Sequence, residues 1–200
     1  MAKEISAKDV AALRARTGAG MMDCKKALEE AGGDMEKAVD ILRKKGTARA
    51  DKRAERTAAQ GVITSYIHHN GKVGVLLELN CETDFVANTE DFRNLARDVA
   101  MHIAAANPIA VSPDGVPADV VAREKAIYLE QARESGKPAA VQEKMAEGKL
   151  KKFYEERVLL EQLFVRDDKQ KVGDLVKAVS GKVGEKVVVR RFVRFGLGGD

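Results

Sequence analysis

Nitrogen and sulfur ligands are few in this 200-residue chain: three histidines, His68, His69 and His102, and two cysteines, Cys24 and Cys81. His68 and His69 alternate faces of an expected strand, His102 falls mid-helix, and none has a partner at metal-ligand spacing. Cys24 and Cys81 match no metal or redox spacing and suit a reducing compartment. No Ser–His or Cys–His arrangement is local. Gly181-Lys-Val-Gly184 is too short for a phosphate loop and reads as a turn before a strand. The chemistry on offer is that of binding. Residues 81–88 read Cys-Glu-Thr-Asp-Phe-Val-Ala-Asn, between a β-type run at 73–79 and a helical pattern from about Thr89. An aromatic on such a turn either folds back into the core or is held out as an anchor for another protein. Most aromatics are core, so residue type alone favours burial of Phe85. Met21 and Met22 raise a similar question. Two adjacent thioethers cannot both point inward from a helix, and a flexible apolar residue left outside suits a partner contact.

The elements that must position these residues follow from periodicity. The first 46 residues read as three short helices. Ser6 caps the first, with Asp9 three residues on, and Thr17-Gly-Ala-Gly20 breaks it. The second carries Cys24, Ala27, Leu28 and Ala31 at i, i+3, i+4 and i+7. The third is capped by Asp34, buries Met35, Ala38, Ile41 and Leu42, and is expected to end at Gly46. So thin a core fits a docking module better than a catalytic one. Residues 47–59 read as a connector. The densest basic stretch, 43–56, holds Arg43, Lys44, Lys45, Arg49, Lys52, Arg53 and Arg56. It is a solvated connector or, alternatively, an RNA contact through phosphates.

A hairpin is expected next, its strands 62–69 and 72–81 flanking Asn70-Gly71, a signal for a two-residue type I′ turn. In that register Val62, Thr64, Tyr66 and His68 face Leu79, Leu77, Val75 and Val73 on one face, which Cys81 joins. Ile63, Ile67 and Leu76 fall on the other. Phe92, Leu95, Ala96, Val99, Ile103 and Ala106 form one helix face. A proline-bearing loop covers 107–117, and helices are expected to run to about Phe164, with weak points at 136–138 and Gly148. Val172, Leu175, Val176 and Val179 mark a last short helix. In a final strand, 187–195, Val187, Val189, Val193 and Phe195 share a face with Arg191, while Phe192 lies with Arg190 and Arg194. That strand has only the hairpin to pair with. The expected class is α+β: a three-helix module, then a three-stranded antiparallel sheet with helices on one side.

Composition sets the outer limits. Charged residues make up 33% and hydrophobic residues 44%, with a formal net charge of +4. That charge gives solubility and weak attraction to polyanions without requiring nucleic acid. Aromatics are 4% and Trp is absent, so no stacking platform for single strands is supplied. No apolar run nears the roughly 20 residues of a membrane span, and the N-terminus lacks a charged-then-apolar signal. A cytoplasmic location follows as the expectation, with no cofactor.

Two runs together, Arg16-Thr-Gly-Ala-Gly-Met-Met-Asp-Cys-Lys-Lys-Ala-Leu28 and 80–88, resemble the elongation factor Ts family. Weaker similarity extends through 136–138, 145–153 and 172–176, so the resemblance covers essentially the whole chain. It implies a guanine-nucleotide exchange factor, not an enzyme, that binds elongation factor Tu in its GDP-bound and nucleotide-free states. It implies residues 1–53 as a three-helix docking domain resembling a ubiquitin-associated domain, and 54–200 as the core. Arg14, Met21 and Met22 would contact the partner from the first domain. Thr83, Asp84, Phe85 and Val86 match the family's Thr-Asp-Phe-Val motif, whose aromatic wedges into the partner's nucleotide-binding domain and disturbs magnesium and phosphate binding. Magnesium would belong to the partner's site, leaving none in this chain. Long members have two tandem core halves and a coiled coil. One core copy and no coiled coil are expected here, and short members of this kind include dimers, so a homodimer is expected. The alternative is a non-catalytic protein- or RNA-binding module that uses the three helices and the basic connector.

Overall fold

A computed structural model describes residues 5–51, 53 and 55–198 of the chain, with no side-chain placement for 47–51. Lys52 and the side chain of Arg49, both in the basic stretch, lie outside the described residues. Three N-terminal helices come first: α1 (Ala7–Thr17), α2 (Met21–Glu30) and α3 (Met35–Asp51). Ser6 and Asp9 form a reciprocal capping box on α1, and Asp34 accepts from the Lys37 amide at the start of α3. Val10, Leu13, Cys24, Ala27, Leu28 and Ala38 make the buried core, with Met35, Ile41 and Leu42 against it.

Helix α3 does not stop at Gly46. It runs on to Asp51 and takes up much of the expected connector. A tertiary contact overrides the helix-breaking tendency. A Cβ on Gly181 would lie 3.0 Å from the Cα of Gly46, so the bare Gly181 lets α3 cross closely over α8 (Val172–Val183).

Strands β1 (Gln60–Ile67) and β2 (Val73–Cys81) form the hairpin in the expected register, Val62 opposite Leu79 and Tyr66 opposite Val75. The turn differs. His68 donates its N–H to the Val73 carbonyl and accepts from the Gly71 amide, closing a four-residue loop, and only Gly71 has positive φ. A type I′ turn would need Asn70 there as well. Instead the Asn70 side chain accepts from the Lys72 amide. The loop is longer by an even number of residues, so no side chain changes face.

Val75, Leu77, Leu79 and Cys81 of β2 are buried against Phe92, Leu95, Val99 and Ile103 of α5 (Glu90–Ala106). β2 is central, and the last strand, β5 (Val188–Gly196), pairs with it antiparallel to complete the three-stranded sheet. The α+β class is therefore present as expected. A bulge between Glu78 and Leu79 leaves Arg190 unpaired and reverses the faces of β5 beyond it. Val187 and Val189 stay on the core side. Phe192 and Arg194 then turn inward, and Val193 and Phe195 turn outward, opposite to the simple alternation. Arg194 gains a use there, donating at 3.1–3.2 Å to the Ala104 carbonyl in the last turn of α5.

After a short 3₁₀ turn at Pro113–Gly115, α6 (Ala118–Arg133) and α7 (Ala139–Arg157) form an antiparallel pair around buried Ala132 and Ala146. The break between them falls at the expected weak point, 136–138, while Gly148 does not interrupt α7. Helix stops at Arg157, short of Phe164. A small hairpin follows, β3 (Leu163–Phe164) and β4 (Asp167–Lys171). Its strands are too short and polar to give a period-2 signal.

One buried polar group ties this region together. The Val165 amide donates to Nδ1 of His102, so Nε2 carries the proton and donates to Gln162 at 3.0 Å. Gln162 in turn donates to the carbonyls of Glu156 and Ala106. Burial pushes His102 below the usual histidine range, against a smaller opposing pull from Gln162. The unfolded chain therefore binds this proton more readily. The contribution to stability is complete above the unfolded value of about 6.5 and is lost as pH falls through the folded value. The urea midpoint should fall as the pH drops below about 6.5. A His102→Phe variant, weaker at neutral pH, should lose that slope, and an unaltered slope would exclude His102 as its source.

Candidate partner-binding site

The octet after β2 forms a single turn of helix, α4 (Asp84–Ala87). Its apolar residues divide between two sides. Val86 and Ala87 are buried in the main core, while Asp84 is exposed and Phe85 is 82% exposed. Burial, the expectation from residue type alone, is therefore wrong for Phe85. Core contacts are made by its neighbours, and one turn of helix cannot bury three consecutive side chains.

Both ends of the turn are fixed. Thr83 is the N-cap, its hydroxyl accepting from the Val86 amide. Asn88 donates to the Asp84 carbonyl at 2.9 Å and accepts from Arg93 at 2.7 Å, and the Thr89 hydroxyl donates to the Val86 carbonyl. Beneath lies Cys81, which donates to the Thr83 carbonyl at 3.1 Å. Burial pushes its thiol up to about 11, helped by the nearby Glu185 carboxylate, so it is protonated and unreactive at neutral pH.

Glu185 is the residue that sequence reading missed. One carboxylate oxygen accepts from the backbone amides of Glu82 (3.1 Å) and Thr83 (3.0 Å), and the other from the Thr83 hydroxyl (2.6 Å). Glu82 reciprocates, accepting from the Lys186 amide at 2.6 Å and from Arg56. Those bonds, the Lys186 amide foremost, hold the Glu82 carboxyl below its ordinary range. The two segments are about a hundred residues apart in sequence, and no local pattern signals the pairing.

The N-terminal residues lie on helix surfaces. Arg14 is exposed on α1, and at the start of α2 Met21 is 44% exposed and Met22 64%. Neither thioether is core. The turn before them is tied to the other site through α8. Lys182 lies against Gly18 and pairs with Asp91, in the first turn of α5, at 2.6 Å. Much of the basic stretch is engaged within the chain. Arg43 bonds Gln170, Lys45 pairs with Glu30, Arg53 reaches the Ser180 carbonyl, and Arg56 pairs with Glu82. Among the described residues no group of three or more metal-ligating side chains comes together, and no helix is long and apolar enough to cross a membrane.

A fixed turn presents an aromatic to solvent, and the chain as a whole is similar to known proteins. The family model for Elongation factor TS matches residues 2–199. The chain belongs to the elongation factor Ts family. Elongation factor Ts of Fervidobacterium nodosum is 58% identical over 195 residues, covering 98% of this chain and 99% of that protein. Elongation factor Ts of Syntrophobacter fumaroxidans is 52% identical over 200 residues, covering all of both. That of Thermosipho melanesiensis is 56% identical over 194 residues, covering 97% of this chain and 99% of its own. The matches span both the N-terminal helices and the sheet, so the family assignment applies to the chain throughout.

Proposed function

We propose that this chain is the guanine-nucleotide exchange factor of elongation factor Tu, binding it with GDP or empty and speeding GDP release in the cytoplasm. The exposure of Phe85 on a turn fixed at both ends carries the reading. An apolar aromatic held rigidly in water is unfavourable for the free chain and loses little further entropy on docking. Phe85 enters the partner's nucleotide-binding domain, Val86 holds the turn to the core, and Thr83 and Asp84 set the approach. Arg14, Met21 and Met22 dock a second surface of the partner. On this reading 1–53 is a docking domain resembling a ubiquitin-associated domain and 54–200 the core.

No covalent step is needed. Factor and nucleotide each bind elongation factor Tu, and if the factor favours a conformation with misplaced magnesium and phosphate ligands, each weakens the other by the same ratio. The magnesium is the partner's. RNA binding through the basic stretch is disfavoured, because Arg43, Lys45, Arg53 and Arg56 already have acceptors inside the chain. The test is release of labelled GDP from elongation factor Tu. Catalytic amounts of this chain should raise the off-rate, and an unchanged off-rate at micromolar factor would refute the proposal.

A further inference from the structure

The Phe85 turn does not hold its shape alone. We infer that Glu185, at the end of α8, is a positioning residue for nucleotide exchange: its carboxylate fixes the Thr83 cap and so keeps Phe85 in its docking geometry. The inference rests on the proposed role of Phe85 and adds a residue outside the octet.

Three donors converge on this one carboxylate, the amides of Glu82 and Thr83 and the Thr83 hydroxyl, at 2.6–3.1 Å. Bonds to an ionised acceptor are stronger than neutral ones. Without them two backbone N–H groups at the start of α4 lose their partner, and Thr83 loses the bond that orients its hydroxyl toward the Val86 amide. A one-turn helix has little stability of its own, so its order depends on its caps. Phe85 and Asp84 are exposed, and the turn's remaining anchors are buried Val86 and Ala87 and the bonds from Cys81, Asn88 and Thr89 to its carbonyls.

Glu185 is itself held. Gly184 ends α8 in the left-handed conformation at φ 80°, which turns the chain back toward β2. The Ser180 hydroxyl, buried in the last turns of α8, donates to the Glu185 carbonyl at 2.5 Å. The Lys186 amide is bound by Glu82, so the two segments clasp each other in both directions. The same end of α8 meets the N-terminal helices, through Gly181 against Gly46, Lys182 against Gly18, and Arg53 on the Ser180 carbonyl. Residues 180–186 therefore touch both the turn bearing Phe85 and the N-terminal module that carries Met21 and Met22.

If only a fraction of free molecules holds the docking geometry, effective affinity falls by that fraction. Glu185→Ala should lower exchange efficiency about tenfold, the scale of losing charge-assisted bonds to the cap. Glu185→Gln keeps the shape and an acceptor for the two amides and should recover most of the loss. The decisive measurement is a double-mutant cycle with Phe85→Ala. A positioning residue that acts through Phe85 has little left to lose, so Glu185→Ala should change exchange less than about twofold in that background. Amide hydrogen exchange at Thr83 should also quicken in Glu185→Ala while the chain still melts cooperatively. An equal loss with and without Phe85 would mean a general structural role and overturn the inference. So would unchanged exchange in Glu185→Ala while Phe85→Ala is impaired. If Phe85→Ala itself exchanges normally, the wedge reading fails, and the clasp as a positioning device fails with it.

Discussion

Replacing Phe85 by Ala is expected to cut exchange efficiency on elongation factor Tu about 30-fold, the scale of a lost interface anchor, with the melting temperature nearly unchanged. The side chain is 82% exposed, so its removal takes almost nothing from the folded core. A control lies seven residues away. Phe92 is fully buried on α5, capped by Thr89 immediately after the turn that carries Phe85. Phe92→Ala removes the same atoms and should cost about 3–5 kcal/mol of stability, a large part of the roughly 5–15 kcal/mol of a whole domain. Melting curves and GDP-release rates on the two variants separate the roles. A steep drop in melting temperature for Phe85→Ala would mean that the aromatic is structural in solution. Normal exchange with normal stability would remove it from the interface.

The difference between these two phenylalanines marks how far local sequence carries. Phe92 belongs to a stripe of six positions with helical period, so its burial is legible. Phe85 belongs to one turn of helix, too short for a period to emerge, and only the family motif pointed outward. The hairpin register was legible because Asn70-Gly71 marks the reversal, and the longer loop found there keeps the same strand pairing even though the turn type differs. The faces of β5 beyond Arg190 were not, because a bulge adds one residue and inverts every later side chain. Nothing in Val-Val-Arg-Arg-Phe-Val announces it. The run of α3 past Gly46 depends on a glycine 135 positions later, at 181 in α8. The Glu185 clasp likewise joins residues about a hundred positions apart. In each of these cases the deciding contact lies outside the local stretch that a period or a turn signal can describe.

The bulge also bears on the second large effect, on oligomeric state. Helices cover one face of the sheet, and on the other Ile63, Ile67, Leu76, Val193 and Phe195 are all exposed. Simple alternation had assigned Val193 and Phe195 to the core, so the open face is more apolar than the sequence suggested. Beside it Glu78 pairs with Arg190 and Arg191, giving the apolar patch a charged margin of both signs. Apolar centre and polar rim are the usual anatomy of an interface, and a two-fold axis would match this patch to itself. We propose that two chains associate through it, each supplying the other with a second sheet layer. Light scattering at tens of micromolar should give a mass near twice 21.7 kDa. Reducing agent should not change it, because Cys24 and Cys81 are both buried and unpaired. Ile63→Lys with Phe195→Lys places charges in the centre of the patch without touching the core. A buried unpaired charge costs several kcal/mol, so the double variant should be a folded monomer. If the dimer also brings a second core copy to elongation factor Tu, exchange should fall with it. A native chain that scatters as 21.7 kDa at these concentrations would end the dimer proposal, and one sheet would then have to serve each partner molecule alone.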